Sequence, residues 1–202
     1  MELRDDQNRL VEDPWRRTEL WNADCTRLTL WIHPGRVKEG VNLREELGPV
    51  LEEGKRYTLV VSKNLRATDN RPLEKEFTKA FKVGKAIREP LDARTWKIQA
   101  PTLENPVLLL QFPQPLDRHL LERCLTIETA TGKKLAGHFV LGKDERDIRF
   151  TPTAAWETGK YLVRIAGELE DLAGNTPLRK FDMKLTELPP KNPCLNLPFV
   201  VK

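Results

Sequence analysis

The chain has 202 residues, 39% hydrophobic and 32% charged, with a formal net charge of +4. That length suggests one large or two small domains, with enough apolar content to build cores. Basic and acidic residues are interspersed, which argues against the basic stripe of a nucleic-acid binder and leaves only weak attraction to an anionic polymer. No stretch reaches the ~20 apolar residues of a membrane span.

The chain opens "MELRDDQNRLVEDPW", a mid-domain pattern with no signal peptide at Met1. "LTLWIHP", ending at Pro34, reads as a strand. An insertion at 35–50 follows, "GRVKEGVNLREELGPV". It is either a contact loop or, through "VNLREEL", one helical turn over a sheet edge. "YTLVVS" and "KAFKV" read as further strands. The segment 84–94, "GKAIREPLDAR", reads as a linker.

The second half begins with "TWKIQAP" and "VLLLQF", the latter a buried strand bounded by Pro106 and Pro113. "LDRHLLER" predicts a helical turn capped by Asp117. "LTIE" is a strand, and "ATGKK" is a turn in which Gly132 is free to take positive φ. "KLAGHFVL" alternates Leu135, Gly137, Phe139 and Leu141. "DIRF" sets Ile148 and Phe150 on one face, and "KYLVRIA" does so for Tyr161, Val163 and Ile165. Period two is the signature of half-buried antiparallel strands. Many short strands between turn residues predict an all-β sandwich.

The two halves match in order. Leu3 answers Ile127, Asn8 answers Gly132 and Val11 answers Leu135. Tyr57 answers Tyr161, Leu65 answers Leu169, and Pro72-Leu73 answers Pro177-Leu178. Phe81 answers Phe181. This reads as a tandem duplication with a period of about 100 residues, a domain repeat. Residues 95–124 have no counterpart in the first half, so the first unit is expected to lack its N-terminal strands. A truncated or misplaced start is the simplest explanation, and a true start with rearranged packing is the alternative. The tail 186–202, "TELPPKNPCLNLPFVVK", carries Leu195, Leu197, Phe199 and Val201 on one side of an extended strand. It is expected to pair on the second domain's edge, where Pro198 is tolerated. The alternative is that it fills the incomplete first sandwich or a neighbour's.

The chemistry-bearing residues are scattered. Cys25, Cys124 and Cys194 form neither a disulfide framework nor a zinc site, and their redox state stays open. The one serine, Ser62, lies in a strand without a nucleophile-elbow context. His33, His119 and His138 fall on three different elements without metal-ligand spacing. Asp144, Glu145 and Asp147 crowd the turn "GKDERD" with Lys143 and Arg146. Paired carboxylates run glycoside hydrolysis, but a solvated turn is the plain reading. The sequence therefore predicts no enzyme, and no catalytic, cofactor-binding or metal residue is assigned. Of the five tryptophans, Trp15, Trp21, Trp31, Trp96 and Trp156, most are expected in cores or turns. Exposed ones would suggest carbohydrate stacking.

The stretch "EDLAGNTPL", 170–178, predicts a compact corner. Its Asp and Asn side chains bond nearby amides, and its Gly accepts left-handed torsions. The functional alternative is calcium held by Glu170, Asp171 and Asn175. "FTPTAAWETGKYLVRIAGELEDLAGNTPL" resembles the bacterial Ig-like domains of the SbsA type, known from S-layer and other exported proteins. Phe150, Pro152, Trp156, Gly159, Tyr161, Leu169, Asp171, Gly174 and Asn175 carry the resemblance, which covers roughly 95–185. The first half is similar but degenerate: Leu51 stands for Trp156, Ala67 for Asp171, and Asp69-Asn70 for the Gly-Asn.

The resemblance implies two tandem Ig-like β-sandwiches at 1–83 and 95–185. It also implies an extracytoplasmic setting (cell surface, periplasm or secreted) and no catalytic residues. The expected role is that of a structural or adhesive spacer in an exported or cell-envelope protein. Its partner would be an envelope polymer or another domain of a longer chain, with the oligomeric state open. The alternative is a carbohydrate- or polymer-binding accessory module.

Overall fold

The computed structural model describes residues 1–17, 20–21, 24–38, 40–67, 69–181 and 194–202. The chain divides into two units, Met1–Ala86 and Ile87–Lys202. Each is built mainly of antiparallel strands with few, short helices. Among the described residues, no helix is long and apolar enough to cross a membrane.

The first unit runs β1 (Glu2–Arg4), β2 (Leu20–Trp21), β3 (Leu28–Thr29), α1 (Pro34–Val37), α2 (Asn42–Leu47), β4 (Arg56–Val61) and β5 (Phe77–Lys82). β1, β4 and β5 form one sheet in that order, and β2 pairs with β3. Alternation along β4 puts Tyr57, Leu59 and Val61 on one side. Leu3 lies opposite Leu59, and Phe81 lies opposite Tyr57. Leu3, Tyr57 and Val50 form a small buried core, with Val11, Trp15, Ile32, Leu51, Phe81 and Val83 packed around it.

The insertion forms α1 and α2, both too short to persist alone. Buried Arg36 clasps them. Its guanidinium donates to the carbonyls of Leu47 and Gly48, each at 3.0 Å, and to that of Glu12. Arg44 donates back to the Arg36 carbonyl at 2.9 Å. Nothing in the local pattern marks Arg36 as an inward residue. Of the two readings open for the insertion, the helical one describes its form.

The second unit runs β6 (Lys97–Gln99), β7 (Leu108–Gln111), α3 (Arg118–Cys124), β8 (Leu125–Thr129), β9 (Gly137–Leu141), β10 (Asp147–Pro152), β11 (Gly159–Ala166) and β12 (Cys194–Val201). One sheet has the order β6-β7-β10-β9 and the other β12-β11-β8, all antiparallel. Both sheets send side chains into one buried cluster. Leu108, Leu110, Ile148 and Phe150 come from the first; Ile127, Tyr161, Val163, Ile165, Phe199 and Val201 come from the second. Each buried side chain of this size contributes about 1.5–3 kcal/mol of apolar burial. Asp117 caps α3, its carboxylate accepting the Leu120 N–H at 2.9 Å.

The C-terminal strand pairs with β11 along its whole length, Gly159 opposite Val201 and Ala166 opposite Cys194. β12 is an edge strand, which is where Pro198 is tolerated. Its pairing corrects one equivalence. Phe81 faces Tyr57 in the first unit, and the residue facing Tyr161 in the second is Phe199, not Phe181. The segment 84–94 is not a bare linker, because Leu91 and Ala93 are buried in the second core. The boundary at 185/186 and residues 186–193 lie outside the described residues.

The turns after β1 and β8 are closed by the same bonds. The Val11 N–H donates to Leu3 O at 2.9 Å, and the Leu135 N–H to Ile127 O at 2.8 Å. Asn8 at φ 62° and Gly132 at φ 84° hold the left-handed position of each.

Candidate functional site

Polar side chains converge most densely at the corner after β11. Asp171, Asn175 and Thr176 are all buried there. The main chain delivers them by a bridge between Asp171 and Leu116 and by the Asp117 N–H donating to Glu170 O at 2.9 Å. One oxygen of Asp171 accepts the N–H groups of Ala173 (2.8 Å) and Asn175 (2.9 Å). The other accepts Gln114 Nε2 (2.9 Å) and Asn175 Nδ2 (3.0 Å). Asn175 Nδ2 also donates to Ile87 O at 2.9 Å, and its Oδ1 accepts the Phe181 N–H at 3.0 Å. The Leu91 N–H donates to Thr176 O at 3.1 Å.

This network ties three segments together, at 87–91, 113–117 and 171–181. A buried carboxylate is stable only when its lone pairs are filled, and here N–H donors fill them. The calcium alternative therefore loses its strongest ligands, since both Asp171 oxygens and Asn175 Oδ1 already accept protein donors. Glu170 stands apart from the network. Burial, then the nearby Asp117 charge, pushes its carboxyl above the usual 4.5. Gly174 takes φ +80°, and a Cβ there would come within 2.7 Å of the Phe181 ring. No group of three or more His, Cys, Asp or Glu side chains among the described residues could hold a metal ion.

The turn at 67–72 in the first unit, expected from the sequence to correspond to this corner, is built differently. Asp69 is exposed and holds Arg71 through Nε at 2.6 Å, which lowers its pKa. Asn70 takes the left-handed turn at φ 67°.

The other predicted positions are dispersed. His33 caps α1, its Nδ1 accepting the Gly35 N–H at 3.1 Å; His119 lies on α3 and His138 on β9. Ser62 accepts the Asn64 N–H at 3.2 Å in a turn. Glu145 pairs with Arg118 at 3.2 Å and Asp147 with Arg149 at 3.3 Å, while Asp144 and Glu145 take left-handed φ values of 57° and 53°. Cys25 is exposed and Cys124 buried, both free thiols; burial raises the Cys124 pKa. The side chain of Cys194 lies outside the described residues.

Trp96 and Trp156 are core residues. Trp96 meets Phe112 edge-on at 4.5 Å. Trp156 packs among Phe150, Tyr161 and Phe199, and its Nε1 donates to Pro106 O at 2.7 Å. Trp15 is partly buried, while Trp21 and Trp31 are each 44% exposed. Trp21 lies opposite Leu28 in the β2–β3 pair, and Trp31 lies two residues beyond the end of β3. Arg16 lies over Trp31 at 5.5 Å.

Beside the corner, Leu91, Asp92, Trp96, Pro113 and Gln114 line a recess of about 170 Å³, below the ~300–1,000 Å³ of small-molecule sites. No family model, curated protein or solved structure matches the chain.

Proposed function

We propose that this chain is a non-catalytic structural or adhesive module of an exported or cell-envelope protein. In this reading it consists of two tandem Ig-like sandwiches of the SbsA type, and it holds other parts of an assembly at a distance. The observation that carries the reading is the corner of the second unit. Asp171, Gly174 and Asn175 carry the family resemblance, and their polar atoms are spent on internal bonds that stiffen the unit. The matched turns after β1 and β8 support a duplicated plan. So does the matched Tyr–Phe pairing of β4 with β5 and of β11 with β12.

The test is the location of the native protein. Protease added to intact cells, or to cells with only the outer envelope opened, should digest it. Full protection until the cytoplasmic membrane is broken would overturn the reading. A second reading, a carbohydrate- or polymer-binding accessory module, draws on the exposure of Trp21 and Trp31. It requires retardation in polysaccharide-containing gels that Trp31→Ala or Trp21→Ala abolishes.

A further inference from the structure

The two sheets of the second unit end in four edge strands, β6, β9, β12 and β8. An open edge offers unpaired N–H and C=O groups to any extended chain, and folded proteins blunt such edges with charge, proline, shortness or cover. Three of the four are blunted. The β8 edge is covered by the chain after its own turn, where the Leu135 N–H donates to Ile127 O at 2.8 Å and the Thr129 N–H to Lys133 O at 2.9 Å. In β12 the main-chain groups facing away from β11 are those of Asn196, Pro198 and Val200. This follows because the Ala130 N–H donates to Lys160 O, which turns the even-numbered groups of β11 toward β8. Pro198 removes the central donor of that row. β6 is three residues long and opens with Lys97.

β9 has none of these protections. Its five residues, Gly137–Leu141, include no Lys, Arg, Asp, Glu or Pro. The Thr153 N–H donates to Ala136 O and the Gly142 N–H to Asp147 O, both at 2.8 Å, so alternation commits the main-chain groups of His138 and Val140 to β10. Those of Gly137, Phe139 and Leu141 face outward, and among the described residues no strand pairs with them. The side chains divide the other way. Phe139 and Leu141 pack against the core, whereas His138 and Val140 are exposed, Val140 by 51%.

We infer that two copies of this chain pair antiparallel along β9, joining their four-stranded sheets across a two-fold axis at Phe139. The strand is its own complement in that register. Gly137 lies opposite the partner's Leu141, and Phe139 opposite the partner's Phe139, so every outward N–H and C=O of the strand finds a bond. Shifting either copy leaves one end of the row unpaired. On the exposed side His138 lies opposite the partner's Val140, and no like charges meet. The edge carries no charge that would select a different polypeptide, and its self-complementary row selects a second copy. Five paired residues cover less surface than a stable interface needs, so the association is weak and concentration-dependent.

The test is sedimentation of the full chain, which should show monomer and dimer exchanging with a Kd of the order of 100 µM. The double variant His138→Glu/Val140→Glu sets like charges against each other across the axis and should weaken dimerisation about tenfold or more. The double variant His138→Lys/Val140→Glu sets opposite charges there and should restore or tighten it. Both substituted positions are exposed, and both variants share the Val140→Glu change beside Arg149 of β10. A merely structural effect of that change would appear equally in the two. In the unaltered chain, hydrogen exchange at the Phe139 and Leu141 amides should slow as concentration rises.

A chain that stays monomeric up to about ten times that Kd would overturn the inference. So would a dimer equally strong in both double variants. A dimer without added protection at Phe139 and Leu141 would place the contact elsewhere and overturn it as well. None of these outcomes depends on where the protein resides in the cell, so failure here and failure of the envelope reading are separate results.

Discussion

Tyr161 stacks on Phe199 directly across β11 and β12, with ring centres 5.6 Å apart and planes 21° from parallel. Its hydroxyl donates to Glu157 O at 2.9 Å. One residue thus joins the edge strand, the core and the turn before β11. Phe199→Ala should destabilise the second unit by about 3–5 kcal/mol, and Tyr161→Phe by about 1 kcal/mol. Urea unfolding followed by tryptophan fluorescence in a variant that keeps Trp156 alone, with the other four changed to Phe, reads both. Equal losses from the two variants would contradict the division between packing and hydroxyl.

The Asp171 network makes a sharper contrast. Asp171→Ala leaves the Asn175 and Ala173 amides and the Gln114 side chain without their acceptor, at a cost of roughly 2–4 kcal/mol. Asp69→Ala removes an exposed ion pair with Arg71 and should leave the denaturant midpoint nearly unchanged. Denaturant midpoints of the two variants, measured side by side, check this.

Gly174→Ala should be costly for two reasons. The φ of +80° is strained for any side chain, and the Cβ would press on the Phe181 ring. The expected loss is about 1–3 kcal/mol. Gly54→Ala shares the positive φ, at +80°, but meets open space. It should lose only about 1 kcal/mol. A thermal shift for Gly174→Ala no larger than for Gly54→Ala would show that Phe181 yields freely.

Glu170 sets a pH dependence. Its carboxyl holds a proton in the folded chain at pH values where the unfolded chain has released it, because burial and the Asp117 charge raise its pKa. The folded state therefore binds more protons, and this group's contribution to stability falls as pH rises above 4.5. Glu170→Gln should raise the melting temperature of the second unit near neutral pH. The gain should fade well below 4.5, where both states are protonated. Melting curves across that range decide it, and a gain that grows on acidification would reverse the sign.

Much of the second unit was legible from period-two alternation. Ile148 and Phe150, or Tyr161, Val163 and Ile165, can bury only one side of a strand, and that side is the core. The corner at 170–178 was legible as a turn, because Asp, Gly and Asn at that spacing have few other uses. Its reach to Ile87 and Gln114 was not, since those partners are distant in sequence and carry no local signal. The same limit applies to Arg36, whose burial depends on four carbonyls that no spacing rule identifies. The equivalence of Phe81 with Phe181 failed because the second unit takes its edge strand from beyond the corner, so the nearest phenylalanine was not the one opposite Tyr161.

The position of β12 also bears on the order in which the molecule assembles. β4 and β5 are joined through residues 62–76, whereas β11 and β12 are joined through residues 167–193. Closing the longer loop costs roughly half a kcal/mol more in chain entropy. The loosely covered sheet of the first unit thus has the easier first step. The well-buried core of the second must hold β8 and β11 together while its last strand is still searching.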